Sequence, residues 1–283
     1  MIYILYNPKA YNGNNDLNIV YKGDTQNKPS IKKINIIDLD VAEFAGGLTE
    51  DDRVLIRGGD GTLHHFANRA KGVDFPCKLF MIRSGTGNDF LNDIGQMSTD
   101  EPVDIRRYLR ELPTVSFGGK KRLFINGVGL GVDGEVCLGV EIHKTKYPNK
   151  KANYTAIALQ ELGFKYKRPS AKITVDGVTR FYDKVWAVST MKGRYYGGGL
   201  QIAPGQDRES GKVSVVIMHG GSRVKTLSVF AQINNGGHIK HTEMVEVFKG
   251  NNVKVEFSSP CALQVDGEVF TGISKYSVDC GKE

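Results

Sequence analysis

Three short apolar runs near the N-terminus each stop at a polar segment rich in glycine, proline or asparagine. Ile2 to Tyr6 ends at Asn7-Pro8, and Val54-Leu55-Ile56 runs into Arg57-Gly58-Gly59-Asp60-Gly61-Thr62. Lys78 to Ile82 runs into Ser84-Gly85-Thr86-Gly87-Asn88-Asp89. Runs of this length, bounded this way, read as buried strands. The segments that follow the last two, Leu63 to Ala70 and Phe90 to Ile94, read as helices. Strand, polar loop, helix, repeated, is the order of an α/β domain with a parallel sheet, whose ligands bind beyond the carboxyl ends of the strands.

The pattern changes near Pro113. Short alternating stretches bounded by Gly, Asp and Asn follow: Leu123 to Asn126, Lys172 to Val175, Lys184 to Ser189, Lys212 to Met218, Asn252 to Phe257 and Ala262 to Val265. They predict antiparallel strands of a sandwich or barrel. Asp176-Gly177 and Asp266-Gly267 are hairpin turns on composition, since both central positions of the favoured tight turn need φ > 0. One helix is expected among these strands, between Asn153 and Phe164, where Tyr154, Ile157, Ala158 and Leu162 share a face. The expected division is thus residues 1–113, α/β, and 114–283, all-β and sandwich-like, with the last few residues able to return to the first domain.

A chain of 283 residues exceeds the size at which one core usually stops growing, which agrees with two domains. With 40% hydrophobic and 24% charged residues it is balanced enough to fold and not disordered. No apolar stretch approaches the roughly 20 residues of a membrane span, and the N-terminal run is too short for a signal peptide, so a cytoplasmic protein is expected. Cys77, Cys137, Cys261 and Cys280 are too dispersed for a disulfide framework or a zinc site. The net charge of +7 is uneven: residues 1–100 carry 11 Lys and Arg against 13 Asp and Glu, and the remainder 27 against 18. Lys144, Lys146, Lys150, Lys151, Lys165, Lys167 and Arg168 could therefore meet an anionic membrane surface or simply be solvated. Nucleic acid is not expected, because the basic residues lack interleaved aromatics or a recognised motif.

Consecutive glycines let backbone N–H groups converge on a phosphate, and the helix start behind them adds partial positive charge. Gly58-Gly59-Asp60-Gly61-Thr62 suits that purpose, although it is neither a Walker loop nor a dinucleotide fingerprint. The second loop, Gly85-Thr86-Gly87-Asn88-Asp89, strengthens the reading. If the two strands are neighbours, both loops open onto one crevice, and Asp60 and Asp89 bring carboxylates toward a bound triphosphate and its Mg²⁺.

Gly-Gly-Asp-Gly-Thr at 58–62 with Gly-Thr-Gly-Asn-Asp-Phe at 85–90 resembles the diacylglycerol kinase catalytic-domain family, which includes bacterial lipid kinases and sphingosine kinases and is related more distantly to NAD kinases. Asn7-Pro8, Tyr196-Gly197-Gly198-Gly199, Ala203-Pro204 and Val265-Asp266-Gly267-Glu268 resemble further landmarks of that family in order. The resemblance implies a Rossmann-like nucleotide domain followed by a β-sandwich, ATP with Mg²⁺, and a lipid acceptor reached by peripheral contact with the membrane. It points to Asn7, Pro8, Gly58, Gly59, Asp60, Gly61, Thr62, Gly85, Thr86, Asn88 and Asp89 for ATP. Glu268 becomes the general base and Asp266 its orienting or Mg²⁺-holding partner, with the two roles exchangeable. Asp-Gly-Glu also occurs at Asp133-Gly134-Glu135; spacing does not choose between the copies, and the resemblance selects the later one.

Two positions depart from the family pattern. A basic residue usual after the first Asn-Pro is replaced by Asn14 after Gly13, leaving Lys9 as the nearest cation for a phosphate contact. The Asp-Gly pair after Ala-Pro, whose Asp can hold a structural Mg²⁺ in bacterial members, reads Ser210-Gly211, so such an ion is not expected unless Asp207 or Glu209 compensates. An NAD kinase-like phosphotransferase and a regulator without catalysis are the alternatives; the Asn-Glu pair of NAD kinases has no convincing counterpart after Asp89. His238 and His241 do not complete a metal site. Tyr195 and Tyr196 could wall a lipid tail. The acceptor lipid and the oligomeric state are left open, a homodimer being compatible with the sequence.

Overall fold

The computed structural model describes residues 1–8, 30–83, 88–97, 101–148 and 154–281 of the chain. Lys9, Gly85 and Thr86 lie outside the described residues. The chain divides into two compact units, Met1–Arg110 and Glu111–Glu283.

In the first unit β1 (Ile2–Tyr6), β2 (Ile31–Asn35), β3 (Arg53–Gly58) and β4 (Lys78–Arg83) are parallel, in the spatial order β2-β1-β3-β4, with β5 (Val103–Asp104) antiparallel at the edge of β4. Ile4, Leu5, Val54 and Ile56 are fully or almost fully buried, as expected where both faces of parallel strands are covered. Between β2 and β3 runs α1 (Val41–Gly46), whose first N–H groups, of Ala42 and Glu43, donate to the Asp40 carboxylate. The crossover from β3 to β4 is α2 (Asp60–Arg69), anchored by Leu63, Phe66 and Ala67 on one face. It starts a turn before the apolar pattern does, because Asp60-Gly61-Thr62 is already helical. Next come α3 (Asp89–Asp93) and α4 (Arg106–Leu109).

The second unit is built on one long antiparallel sheet. Its strands are β6 (Thr114–Phe117), β7 (Lys120–Leu123), β8 (Gly127–Gly131), β9 (Ala171–Val175), β10 (Val178–Tyr182) and β11 (Val185–Met191), and later β14 (Val213–His219), β15 (Val245–Gly250), β16 (Asn252–Val265) and β17 (Glu268–Asp279). A small ribbon, β12 (Tyr195–Tyr196) with β13 (Leu200–Gln201), lies between. The main path runs β15-β14-β11-β8-β16-β17-β6-β7, with β9 and β10 attached to β16. β16 pairs with β9 through Val253–Phe257 and with β8 through Leu263–Val265, and its register shifts between the two.

One face of this sheet encloses Val128, Leu130, Ile173, Val188, Val215, Val255, Leu263 and Tyr276. The other packs Trp186, Met191 and Val216 against α5 (Val132–Lys146), the π-turn Glu161–Lys165 that continues α6 (Tyr154–Gln160), and α7 (Arg223–Phe230). Covered on both sides, β11 is buried at every position and so shows no alternation.

The α/β then β-sandwich order matches the sequence reading, and both hairpin turns have the expected backbone: Asp176 and Gly177 at φ 45° and 85°, Asp266 and Gly267 at 47° and 88°. Two expectations fail. The expected strand Leu123 to Asn126 is, past Leu123 at the end of β7, the junction to β8, and the sequence of β8, Gly-Val-Gly-Leu-Gly, is rich in glycine. Among the described residues α5 and α7 cover the sheet as well as the expected α6. In α5 the glycines Gly134 and Gly139 are small so that the helix can lie close: a Cβ on Gly134 would stand 2.1 Å from the Ala262 carbonyl oxygen. Gly134→Ala should therefore overpack this contact and cost about 1–3 kcal/mol; thermal denaturation checks it, and an unchanged midpoint would mean that α5 does not sit against β16.

Candidate functional site

The carboxyl ends of β1, β3 and β4 lie side by side, with Tyr6 opposite Arg57 and Gly58 opposite Arg83. Asn7-Pro8 and the 58–62 motif therefore leave the same sheet edge, the one at which β4 ends with Arg83. Gly58 permits a tight strand-to-helix turn, since a Cβ there would stand 2.3 Å from the Thr62 hydroxyl. Thr62 is correspondingly buried and packs under the turn. Among the described residues the Gly59 N-cap makes no side-chain hydrogen bond to α2, and nothing lies within 4 Å of a Cβ built on Gly61.

Asp60 does something the sequence reading did not foresee. Its two carboxylate oxygens accept the N–H groups of Asp89 (2.7 Å) and Phe90 (3.0 Å), 29 and 30 residues away. It thus caps α3 and ties the second motif to the first, a role beyond that of a ligand facing a triphosphate. Asn88 and Asp89 are both buried at this joint.

In the second unit the tip of the β16–β17 hairpin is held in the same manner. The Asp266 carboxylate accepts the N–H groups of Ile125 (2.6 Å), Asn126 (2.8 Å) and Gly127 (2.9 Å). Those residues form the junction before β8, and Arg208 holds them from the other side through the Ile125 carbonyl and the Asn126 side-chain oxygen. Glu268, two residues past Asp266, is exposed.

The earlier Asp-Gly-Glu copy opens α5, and both its acids are engaged. Glu135 accepts the Ala262 N–H at 2.7 Å, inside the irregular stretch of β16. Asp133 Oδ2 accepts the hydroxyls of Tyr196 (2.8 Å) and Ser189 (3.2 Å), and Oδ1 accepts the Gly134 N–H (2.9 Å). Burial pushes the Asp133 carboxyl above its usual value, against the lowering effect of these donors. Burial likewise holds the Tyr196 phenol well above its usual value, with the Asp133 charge adding to the shift. Tyr196 is presented by a turn in which Gly197, Gly198 and Gly199 all have positive φ, which accounts for three successive glycines. The family resemblance, not the spacing, set Asp133 aside; its signal in the sequence is the earlier Asp-Gly-Glu copy at 133–135.

The remaining candidates carry no chemistry of this kind. Cys137 and Cys261 are pushed up to about 12 by burial and stay neutral thiols. His238 bonds the Ile202 carbonyl and His241 the Gln232 amide. Among the described residues no three His, Cys, Asp or Glu side chains cluster to hold a metal. In the loop at Ser210 the carbonyls of Asp207 and Lys212 accept hydrogen bonds from Gln206, and Asp207 Oδ1 accepts the Glu209 N–H. No helix of the described residues is long and apolar enough to cross a membrane.

Comparison with known proteins accords with this arrangement. Residues 1–115 match the diacylglycerol kinase catalytic domain and residues 126–277 the YegS C-terminal NAD kinase β-sandwich-like domain. A diacylglycerol kinase of Mycobacterium tuberculosis is 26% identical over 248 residues, covering 80% of this chain and 78% of the relative. One of Bacillus subtilis is 25% identical over 225 residues, 78% and 72% of the two chains. A crystal structure of a diacylglycerol kinase from Bacillus anthracis superposes with a TM-score of 0.65 at 17% identity, covering 98% of this chain and 93% of that one, and so shares the fold. With both of its units matched in order, the chain belongs to the diacylglycerol kinase family of lipid kinases.

Proposed function

We propose that this protein transfers the γ-phosphoryl group of ATP to a hydroxyl of diacylglycerol or a closely related lipid, working from the cytoplasm at the membrane surface. The observation that supports the reading is the Asp60 carboxylate, which joins the starts of α2 and α3, the helices that follow the two glycine motifs. Asn7, Gly59 and Gly61 would offer the polar and N–H contacts for phosphate, with Pro8, Gly58, Thr62, Asn88 and Asp89 shaping the edge and Lys9, Gly85 and Thr86 completing it. Bound ATP would bring Mg²⁺ to neutralise its phosphate charge.

On the acceptor side, Glu268 serves as general base. Its carboxylate takes the proton of the lipid hydroxyl as that oxygen bonds to the γ-phosphorus, and the bond to the β,γ-bridging oxygen breaks to release ADP. Asp266 is the positioning residue of the pair, its oxygens already committed to three N–H groups. Asp133, with Tyr196 and Ser189, forms a polar group suited to hold the acceptor's hydroxyl-bearing end, with the carboxyl oxygens as acceptors and the phenol and the serine hydroxyl able to donate or accept.

The test is incubation with γ-labelled ATP, Mg²⁺ and separate diacylglycerol, monoacylglycerol, sphingoid base, polyprenol and NAD. Label should enter a lipid, and label in NAD alone would move the chain to the NAD kinase reading. Glu268→Gln should lower kcat about 10²- to 10⁴-fold with ATP binding retained; unchanged turnover removes Glu268 as the base. Asp133→Asn gives a second expectation with a sign. Because the folded carboxyl lies above the usual 3.8, its contribution to stability is full below that pH and is lost as pH rises through the folded value. An amide at this position cannot ionise, so the variant should melt higher than the wild type at neutral pH while phosphorylating lipid more slowly. A variant that melts lower at every pH and keeps full activity would show a purely structural acid.

A further inference from the structure

The loop from Ala203 to Ser214 is the place where the family pattern would put an Asp-Gly pair and a structural Mg²⁺. We infer that this chain closes the loop with its own ammonium, amide and guanidinium groups, so that the acidic hairpin is positioned without a divalent ion. The carbonyl oxygens that could ligate a cation are taken. Gly205 O accepts the Lys249 ammonium at 2.6 Å, and Asp207 O accepts the Ser210 hydroxyl at 2.7 Å. Gln206, 6% exposed, sits at the centre. Its amide nitrogen lies 2.8 Å from Lys212 O, 3.0 Å from Asp207 O and 3.3 Å from Lys192 O, and its oxygen accepts the Ser214 hydroxyl at 2.6 Å.

Charge points the same way. Lys249 reaches into the loop, while Lys192 and Arg208 are buried at 6% and 7% exposure. A dication using the Gly205 carbonyl would have to displace the Lys249 ammonium from it, although the loop also carries Asp207 and Glu209. Ser210, in place of an aspartate, supplies a donor where a metal site needs an acceptor. The closed loop then delivers Arg208 to Ile125 O and Asn126 Oδ1, 2.9 Å for the latter, on the segment whose N–H groups Asp266 grips. Arg208 is a positioning residue for the hairpin, and Gln206 with Ser210 is what fills the loop.

This concerns the loop and not the acceptor, so it can be tested without nucleotide or lipid. Elemental analysis of untreated, gel-filtered protein should find well under one equivalent of divalent metal. After EDTA treatment, adding Mg²⁺, Mn²⁺ or Ca²⁺ should move the thermal midpoint by less than about 1 °C. A stoichiometric tightly held ion, or a rise of several degrees on adding one, overturns the inference. Gln206→Leu should lower the midpoint by about 3 °C or more, with Mg²⁺ failing to restore it; restoration, or no change at all, also counts against it. Arg208→Lys keeps the charge but loses the two-pronged grip. It should reduce kcat up to about 100-fold with the KM for ATP unchanged, as misplacement of a reacting group does. An unaltered kcat would separate Arg208 from the hairpin's positioning.

Discussion

A carboxylate that gathers backbone N–H groups from a distant stretch of chain is the interaction on which each unit depends. Asp60 does this for residues 89 and 90, and Asp266 for residues 125 to 127. Hydrogen bonds to an ionised acceptor are shorter and about twice as strong as neutral ones. Two or three of them directed at one small group leave little freedom for either partner. Aspartate suits the purpose because its short side chain loses little rotamer entropy and holds the acceptor close to its own backbone.

The same interaction explains why the acids of a glycine motif need not all touch substrate. An Asp-Gly pair gives a turn, and its carboxylate can then fasten that turn to something else. Asp176 repeats the device away from any candidate site, accepting the N–H groups of Asn251 and Asn252. The motif is thus a construction joint as well as a source of chemistry.

Much of this could be read from the chain. The strands ending at Tyr6, Ile56 and Ile82 announced themselves by apolar runs against glycine, and the two Asp-Gly hairpins by composition. What stayed hidden has a common cause. Gly127, Gly129, Gly131, Gly134 and Gly139 break up the apolar pattern, yet they are places where another group approaches closely: a Cβ on Gly129 would stand 1.6 Å from the Asp133 carboxylate, and one on Gly139 2.7 Å from Ile157. A glycine required by a neighbour looks, in one dimension, like a glycine required by a turn. Asp133 was lost with them, because its partners, Tyr196 and Ser189, lie 63 and 56 residues on. No local spacing encodes such a meeting.

The divided allegiance of β16 sets a limit on how the chain can vary. Its first part keeps step with β9 and its last part with β8, while Glu135 takes up the one N–H of Ala262 in the irregular stretch between. Since a one-residue slip turns every side chain of a strand over, a single added or lost residue between Ser258 and Cys261 would have to bury Lys254 and Glu256 or turn Gln264 and Val265 out of place. Length is therefore constrained there more tightly than composition, and the exposed, polar look of Ser258 and Ser259 conceals a segment that cannot drift.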